Sequence, residues 1–411
     1  MKKIAALVVL LCAAKAFAAD VAMPRLTIPT AQDSGMGGSH VAYTDNVFGL
    51  LVNPAAIMRV EQRSFFAISP TLFSPQSTFG LIQAIDGIVS KGDLGGLGDA
   101  ANILSKQNGK ISMGFDLREF PLSIAWVADG FGFGLWNRVF VNPNIIGTHF
   151  NFDVYGDVIM PIGFAFKLID VKGHTVDAGV TVKPFARVRA HEKMNIMELM
   201  DQDTNFVDSM TVPLIIGAGF DLGFMYRWDM GLSAGLTFND IVTRGVVAAN
   251  LVGTDTNSYL VPFSMNMGLA YDFRFSRFWQ NAPAFLARSG LSFAVDWRDL
   301  TNIFQQDDYL KRNAILDLGL GLQLSLLDMI KLRLGLNEML PAVGLGFDFG
   351  PIEIDTAYYG KELGLEPGQL SIAALDLTFA IRPGAKKRDW PWARRALIGG
   401  TKAADAGQVS F

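Results

Sequence analysis

The sequence predicts an all-β protein, a transmembrane antiparallel β-barrel of about fourteen strands, and three observations carry that expectation. The first is alternation with a period of two. In residues 261–273 the odd positions Val261, Phe263, Met265, Met267, Leu269, Tyr271 and Phe273 are large and apolar, and those between are small or polar. The second is composition: hydrophobic residues are 50% of the chain, 42 residues are Gly and 31 Phe, and only 18% are charged. The third is that, past the N-terminus, no unbroken apolar run reaches the roughly 18 residues of a membrane helix. Apolarity dispersed among Gly and Phe suits strands that satisfy their backbone polar groups in a closed sheet.

The first element is MKKIAALVVLLCAAKAFA, two lysines and an apolar run from Ile4 to Ala14 followed by Ala16-Phe17-Ala18. Residues 1–18 read as a secretory signal peptide cut near Ala18. Cys12, the single cysteine, falls inside it, and Leu11 stands where a lipoprotein signal wants a small residue. The exported chain therefore has no disulfides and relies on packing or on a bilayer. Cleavage removes three lysines and no acid, so the formal charge of −4 becomes about −7, which argues against a nucleic-acid partner.

The wall is expected over 62–382. Its strands read 63–73, 111–128, 131–141, 151–168, 174–189, 211–226, 231–239, 261–273, 290–298, 314–326, 330–337, 342–349, 352–360 and 370–382. Splitting 74–110 into a further pair would give sixteen. The links alternate short and long, with 190–210, 240–260, 299–313 and 361–369 the long ones. Two depart from the pattern: 274–289 is intermediate where a short turn is due, and 338–341 is brief where a loop is due. Short turns and both chain ends then belong to the periplasmic side. Asp129-Gly130 is a hairpin signal. Trp228 and Trp297 fall where interfacial girdles belong. Pro121 and Pro161 interrupt strands on either side of the Gly-rich run 130–134, marking a patch that is either ordinary bulging or a lateral opening.

A sandwich strand would also alternate, but its polar face would be rich in Lys, Glu and Thr. Here the second face is mostly Gly, Ala, Ser and Asp, as in a crowded lumen. Lys183, Arg187 and Arg189 share one lumen phase, as do Lys331 and Arg333, with Asp296, Asp317, Asp348, Glu353, Asp355 and Asp376 elsewhere. They are either a structural network of ion pairs or the receivers of an anionic head group. His40, His149, His174 and His191 are scattered without metal-ligand spacing, and no Ser/His/Asp grouping can be picked out. Neither enzyme nor cofactor is expected.

Residues 44–58, TDNVFGLLVNPAAIM, do not alternate. Asn53 can cap a helix, Pro54 suits its first position, and Ala55-Ala56 continue it. Gly35, Gly37 and Gly38 permit tight turns. A periplasmic cap would account for these features. However, SGMGGSHVAYTDNVFGLLVNPAAI (34–57) resembles the start of mature FadL-family outer-membrane proteins, the long-chain fatty-acid transporters. Asn53-Pro54-Ala55 match the family's Asn-Pro-Ala, and Gly35 to Gly38 its glycines. Residues 98–110 and 121–138 also resemble a diverged, spirochaete-type group of that family.

The resemblance implies a hatch over 19–61 folded inside the barrel, with Asn53, Pro54, Ala55 and the three glycines as its gate. It implies energy-independent uptake of long-chain fatty acids or other amphiphiles by a monomer in the outer membrane. Phe48, Leu50 and Leu51 would line the pocket, with Arg187, Lys331 and Arg333 as candidate head-group partners. PorV-type relatives share this start but shuttle secreted proteins, and then the long loops, including a short amphipathic helix at 195–202, would carry the function. The expected partners are thus amphiphiles, membrane lipid and the barrel assembly machinery. The basic segment 383–411 reads as a periplasmic tail, with strand 370–382 as the assembly signal.

Overall fold

Alternation becomes a closed wall in the computed structural model, which describes residues 21–74, 110–146, 149–195, 210–275, 283–304, 311–383 and 386–387, with positions 80 and 83. The signal peptide, residues 98–109, the expected loop helix beyond Asn195 and the tail beyond 387 lie outside the described residues.

Each wall strand pairs antiparallel with its chain neighbour. They are β1 (Val60–Ser64 and Phe66–Phe73), β2 (Lys110–Ser112, Gly114–Arg118 and Ile124–Ala128), β3 (Phe131–Ile146), β4 (His149–Ile159 and Ile162–Val171) and β5 (His174–Asn195). Next come β6 (Val212–Trp228), β7 (Leu232–Asn239 and Arg244–Val252), β8 (Ser258–Leu260 and Ser264–Arg274), β9 (Gly290–Trp297) and β10 (Leu318–Leu326). The last four are β11 (Ile330–Asn337), β12 (Leu340–Asp348), β13 (Ile352–Glu362) and β14 (Ser371–Ile381). Pairing of Ile381 with Phe66 and of Ala374 with Phe73 joins β14 to β1, so the fourteen-stranded sheet has no free edge.

Orientation follows from exposure. Leu269, Phe293 and Leu334 are 53%, 49% and 57% exposed, while Asp296, Arg333 and Asp376 are 0%, 1% and 0%. An apolar outside around a charged inside is the reverse of a water-soluble barrel and is what a bilayer requires. Asp129 and Gly130 both adopt positive φ, 55° and 76°, the geometry of the expected tight hairpin.

Three expectations need correction. The segment 314–326 is not strand throughout: Asn313 caps a 3-10 turn over Ala314–Asp317, which resets the phase. Leu316 is therefore fully buried instead of lipid-facing. The N-terminal segment does not begin on the short-turn side: Val21–Ala22 pair with Tyr259–Leu260 at the long-loop end of β8, and only the entry into β1 lies at the short turns. And the sheet continues past several expected strand ends, to Ile146, Asn195 and Val252. Backbone pairing beyond the bilayer needs no lipid-facing stripe, so those extensions carry no alternation.

The wall also has a seam. β1 pairs with β2 at Gln62–Ser64 against Ala125–Val127 and again at Ser69–Phe73 against Gly114–Arg118. Between these stretches residues 65–68 face residues 119–124 without a ladder, around Pro121. The break at Pro161 is milder, since β3 and β5 both pair across it.

Candidate functional site

The residues before β1 pack against the inward-facing side chains of the wall. Val21–Ala22 lie parallel to Tyr259–Leu260 at the long-loop end of β8. An extended strap follows to Thr30, held by arginines that donate to its backbone carbonyls. Arg189 reaches Ala22 O at 3.5 Å, Arg187 reaches Pro24 O at 2.6 Å, Arg138 reaches Thr27 O at 3.1 Å, and Arg118 reaches Pro29 O. Each arginine also binds an aspartate: Arg187 to Asp157 and Arg138 to Asp116, both through two nitrogens, Arg118 to Asp376, and Arg189 to Asp153. From the strap, Arg25 pairs with Asp299 at 2.6 Å.

Thr30 and Asp33 form a capping box that starts helix α1 (Ala31–Gly35). The chain then turns through Gly37 and Gly38, at φ +66° and +77°. A side chain at Gly37 would strike the backbone of Leu320 and Leu336, so the plain turn can lie flat on β10 and β11. Asp296 fastens the next residues: its Oδ2 accepts from His40 N at 2.6 Å and Val41 N at 2.7 Å. Charge-assisted bonds of this kind are roughly twice as strong as neutral ones.

Asn53 is the most heavily used residue of the segment. Its side-chain oxygen caps a 3-10 helix, Pro54–Arg59, by accepting from Ala55 N, and Pro54 occupies the first position. Its amide donates to Val41 O at 3.0 Å and Phe224 O at 3.3 Å, tying the segment to itself and to β6. Wall glycines make room, since a Cβ at Gly179 or Gly223 would meet Pro54.

Phe48, Leu50 and Leu51 are 2%, 0% and 3% exposed, in a cluster with Val127, Trp136, Ile159 and Ile215 of the wall. The Phe48 ring lies 5.6 Å from that of Trp136 and under the Arg382 guanidinium at 4.9 Å. Arg382 backs the seam from the lumen: it binds Glu119 at 2.6 Å and Glu353 at 3.2 Å, and Glu119 accepts from Ser69 Oγ.

The expected head-group cations are divided between two flanks. Arg187 lies by the strap, whereas Lys331 and Arg333 lie on β11 by α1. All have partners: Lys331 with Asp348 at 3.5 Å, and Arg333 with Asp355 and with Gln323 Oε1 at 2.8 Å. Between Ala42–Asp45, Arg59 and Arg227 there is a cavity of about 30 Å³, room for one water. Among the described residues no group of His, Cys, Asp and Glu could hold a metal ion. The strap-binding role of Arg118 and Arg138 was not read from sequence; their lumen phase was available, but nothing in it names a backbone carbonyl as partner.

Fold and lumen together define a membrane β-barrel filled by its own N-terminal segment. Similar solved structures include the monoaromatic hydrocarbon channel CymD, 12% identical over 86% of this chain and 96% of that one, TM-score 0.44. The toluene transporter TodX of Pseudomonas putida is 11% identical over 88% and 98%, TM-score 0.41. A FadL homologue of Pseudomonas aeruginosa is 10% identical over 89% and 99%, TM-score 0.39. No family model and no curated protein matches the sequence.

Proposed function

We propose that the protein is an outer-membrane channel for uptake of long-chain fatty acids or similar hydrophobic molecules, with residues 19–61 as the hatch that gates it. The observation that carries this reading is the way the segment is held: by hydrogen bonds, ion pairs and apolar contact, all reversible, against a closed wall. With the hatch seated, the cavity beside Arg59 and Arg227 admits one water, so passage there requires the hatch to shift.

An acyl chain has the means to drive that shift. Ten buried CH₂ groups supply about 8 kcal/mol, a micromolar equilibrium before ordering costs. The chain would take the place of Phe48, Leu50 and Leu51 in their cluster. A carboxylate head group would share Arg187, Lys331 or Arg333 with the aspartate already bound. Asn53-Pro54-Ala55 is the pivot, because Asn53 holds the segment together through Val41 O and Ala55 N and ties it to the wall through Phe224 O, the bond that breaks when the segment moves.

The test is titration of refolded protein with a fluorescent C16 fatty acid, together with flux into vesicles. The expected result is saturable binding to the intact barrel. Asn53→Ala, which costs the seated hatch about 2–4 kcal/mol, should raise flux severalfold. Absence of saturable binding would overturn the transport reading and leave the loops of an interaction protein as the alternative. Unchanged flux after deletion of residues 19–60 would remove the gating role.

A further inference from the structure

On the lipid side of the seam lies an apolar groove of about 440 Å³, lined by Arg63, Phe65, Ile124, Ala125, Trp126 and Phe133. Phe65, Ile124 and Phe133 are 58%, 41% and 43% exposed there. The groove exists because the ladder between β1 and β2 stops after Ser64 and resumes only at Ser69, leaving no continuous pleat to fill the space. Its volume is that of a small-molecule pocket, roughly 300–1,000 Å³.

Arg63 gives the groove a polar end. The inward-facing Arg118, Arg138, Arg187 and Arg333 are each bound to an aspartate. Among the described residues, Arg63 is exposed and has no carboxylate within ion-pair distance. It stands opposite Trp126 in the ladder, near the Asp129–Gly130 turn, and so at the short-turn rim of the wall. Trp126 is packed with Phe131 and Phe133 at 5.8 and 6.0 Å, and Phe131 with Phe164 at 5.0 Å, an outward aromatic patch of the kind that marks a membrane interface. A guanidinium with no carboxylate partner among the described residues, at interfacial depth beside an apolar groove, has the charge complement of a phosphate that carries a hydrocarbon chain.

We propose that this groove binds one phospholipid of the adjoining bilayer leaflet, its phosphate on Arg63 and one acyl chain along Phe65, Ile124 and Phe133. The bound lipid covers the seam from the membrane side, where Arg382, Glu119 and Phe48 cover it from the lumen. Ala125 and Val127 of the same strand belong to the Phe48 cluster, so a single strand separates the lipid from the N-terminal segment. The proposal does not depend on what the lumen transports.

The test uses the full mature barrel, detergent-exchanged and then incubated with palmitoyl-oleoyl phosphatidylethanolamine or with free palmitate, and read by native mass spectrometry. Wild type should retain one phospholipid. Arg63→Gln should lower retention at least tenfold, Arg63→Lys should restore part of it, and Ile124→Trp, which fills the groove, should abolish it. Circular-dichroism melts of the variants should match wild type, which separates loss of the lipid from loss of the fold. Equal retention by Arg63→Gln, no retained lipid in wild type, or preference for palmitate over the phospholipid would overturn the proposal.

Discussion

At the scale of single residues, the N-terminal segment is governed by side chains that bind backbone. Asp296 is the sharpest case, because one of its oxygens receives two consecutive amides, His40 N and Val41 N. Asp296→Ala should cost the seated turn about 2–4 kcal/mol by stranding both donors, whereas Asp296→Asn, which keeps a carbonyl oxygen in reach, should cost about 1 kcal/mol. Hydrogen exchange at residues 38–44 measures the difference, and equal protection in the two variants would show that the carboxylate is not the fastener. Asn53 was legible as a helix cap from the order Asn-Pro-Ala-Ala alone. Its bonds to Val41 and Phe224 were not, because they depend on where a chain turn and a distant strand come to lie.

At the scale of elements, the strap from Ala22 to Pro29 rests on a row of alternating charges contributed by separate strands. Each guanidinium serves two masters, an aspartate on the wall and a carbonyl on the strap. Removing one guanidinium alone leaves a buried carboxylate without a partner, at about 3–5 kcal/mol. Arg187→Met should therefore destabilise the barrel, while Arg187→Met with Asp157→Leu should restore most of that stability and still loosen the strap. Urea unfolding in micelles tracks the first effect and limited proteolysis within residues 21–30 the second; a double variant as unstable as the single would refute this account. The strands themselves were readable from alternation, since lipid and lumen impose opposite demands on successive residues. The 3-10 turn at Ala314–Asp317 was hidden because Leu316 and Asp317 continue the alternation that starts the next strand. The extensions to Asn195 and Val252 were hidden for the opposite reason, having no lipid to alternate against.

For the whole molecule, the inside-out distribution of charge makes a clear demand. Leu334→Arg places a cation on the lipid face and should cost about 2–4 kcal/mol if Leu334 lies near the midplane, measured by folding into lipid vesicles. A cost near zero would mean that β11 presents its other face to the bilayer. Wall closure and strand number could be anticipated from sequence, because fourteen alternating segments and linked ends leave few topologies. The height of the wall could not. β5 has 22 residues and β11 only 8, and β11 returns into β12 through the two-residue turn Glu338–Met339 on the long-loop side. At about 3.3 Å per residue, one flank stands tens of ångströms taller than the other. The mouth is thus cut obliquely, like a scoop, and its low lip lies on the side of β11 and β12. Over that lip Arg312 binds Glu338 at 3.1 Å, so the low side of the mouth is closed by a loop contact, while the tall flank stands behind the strap.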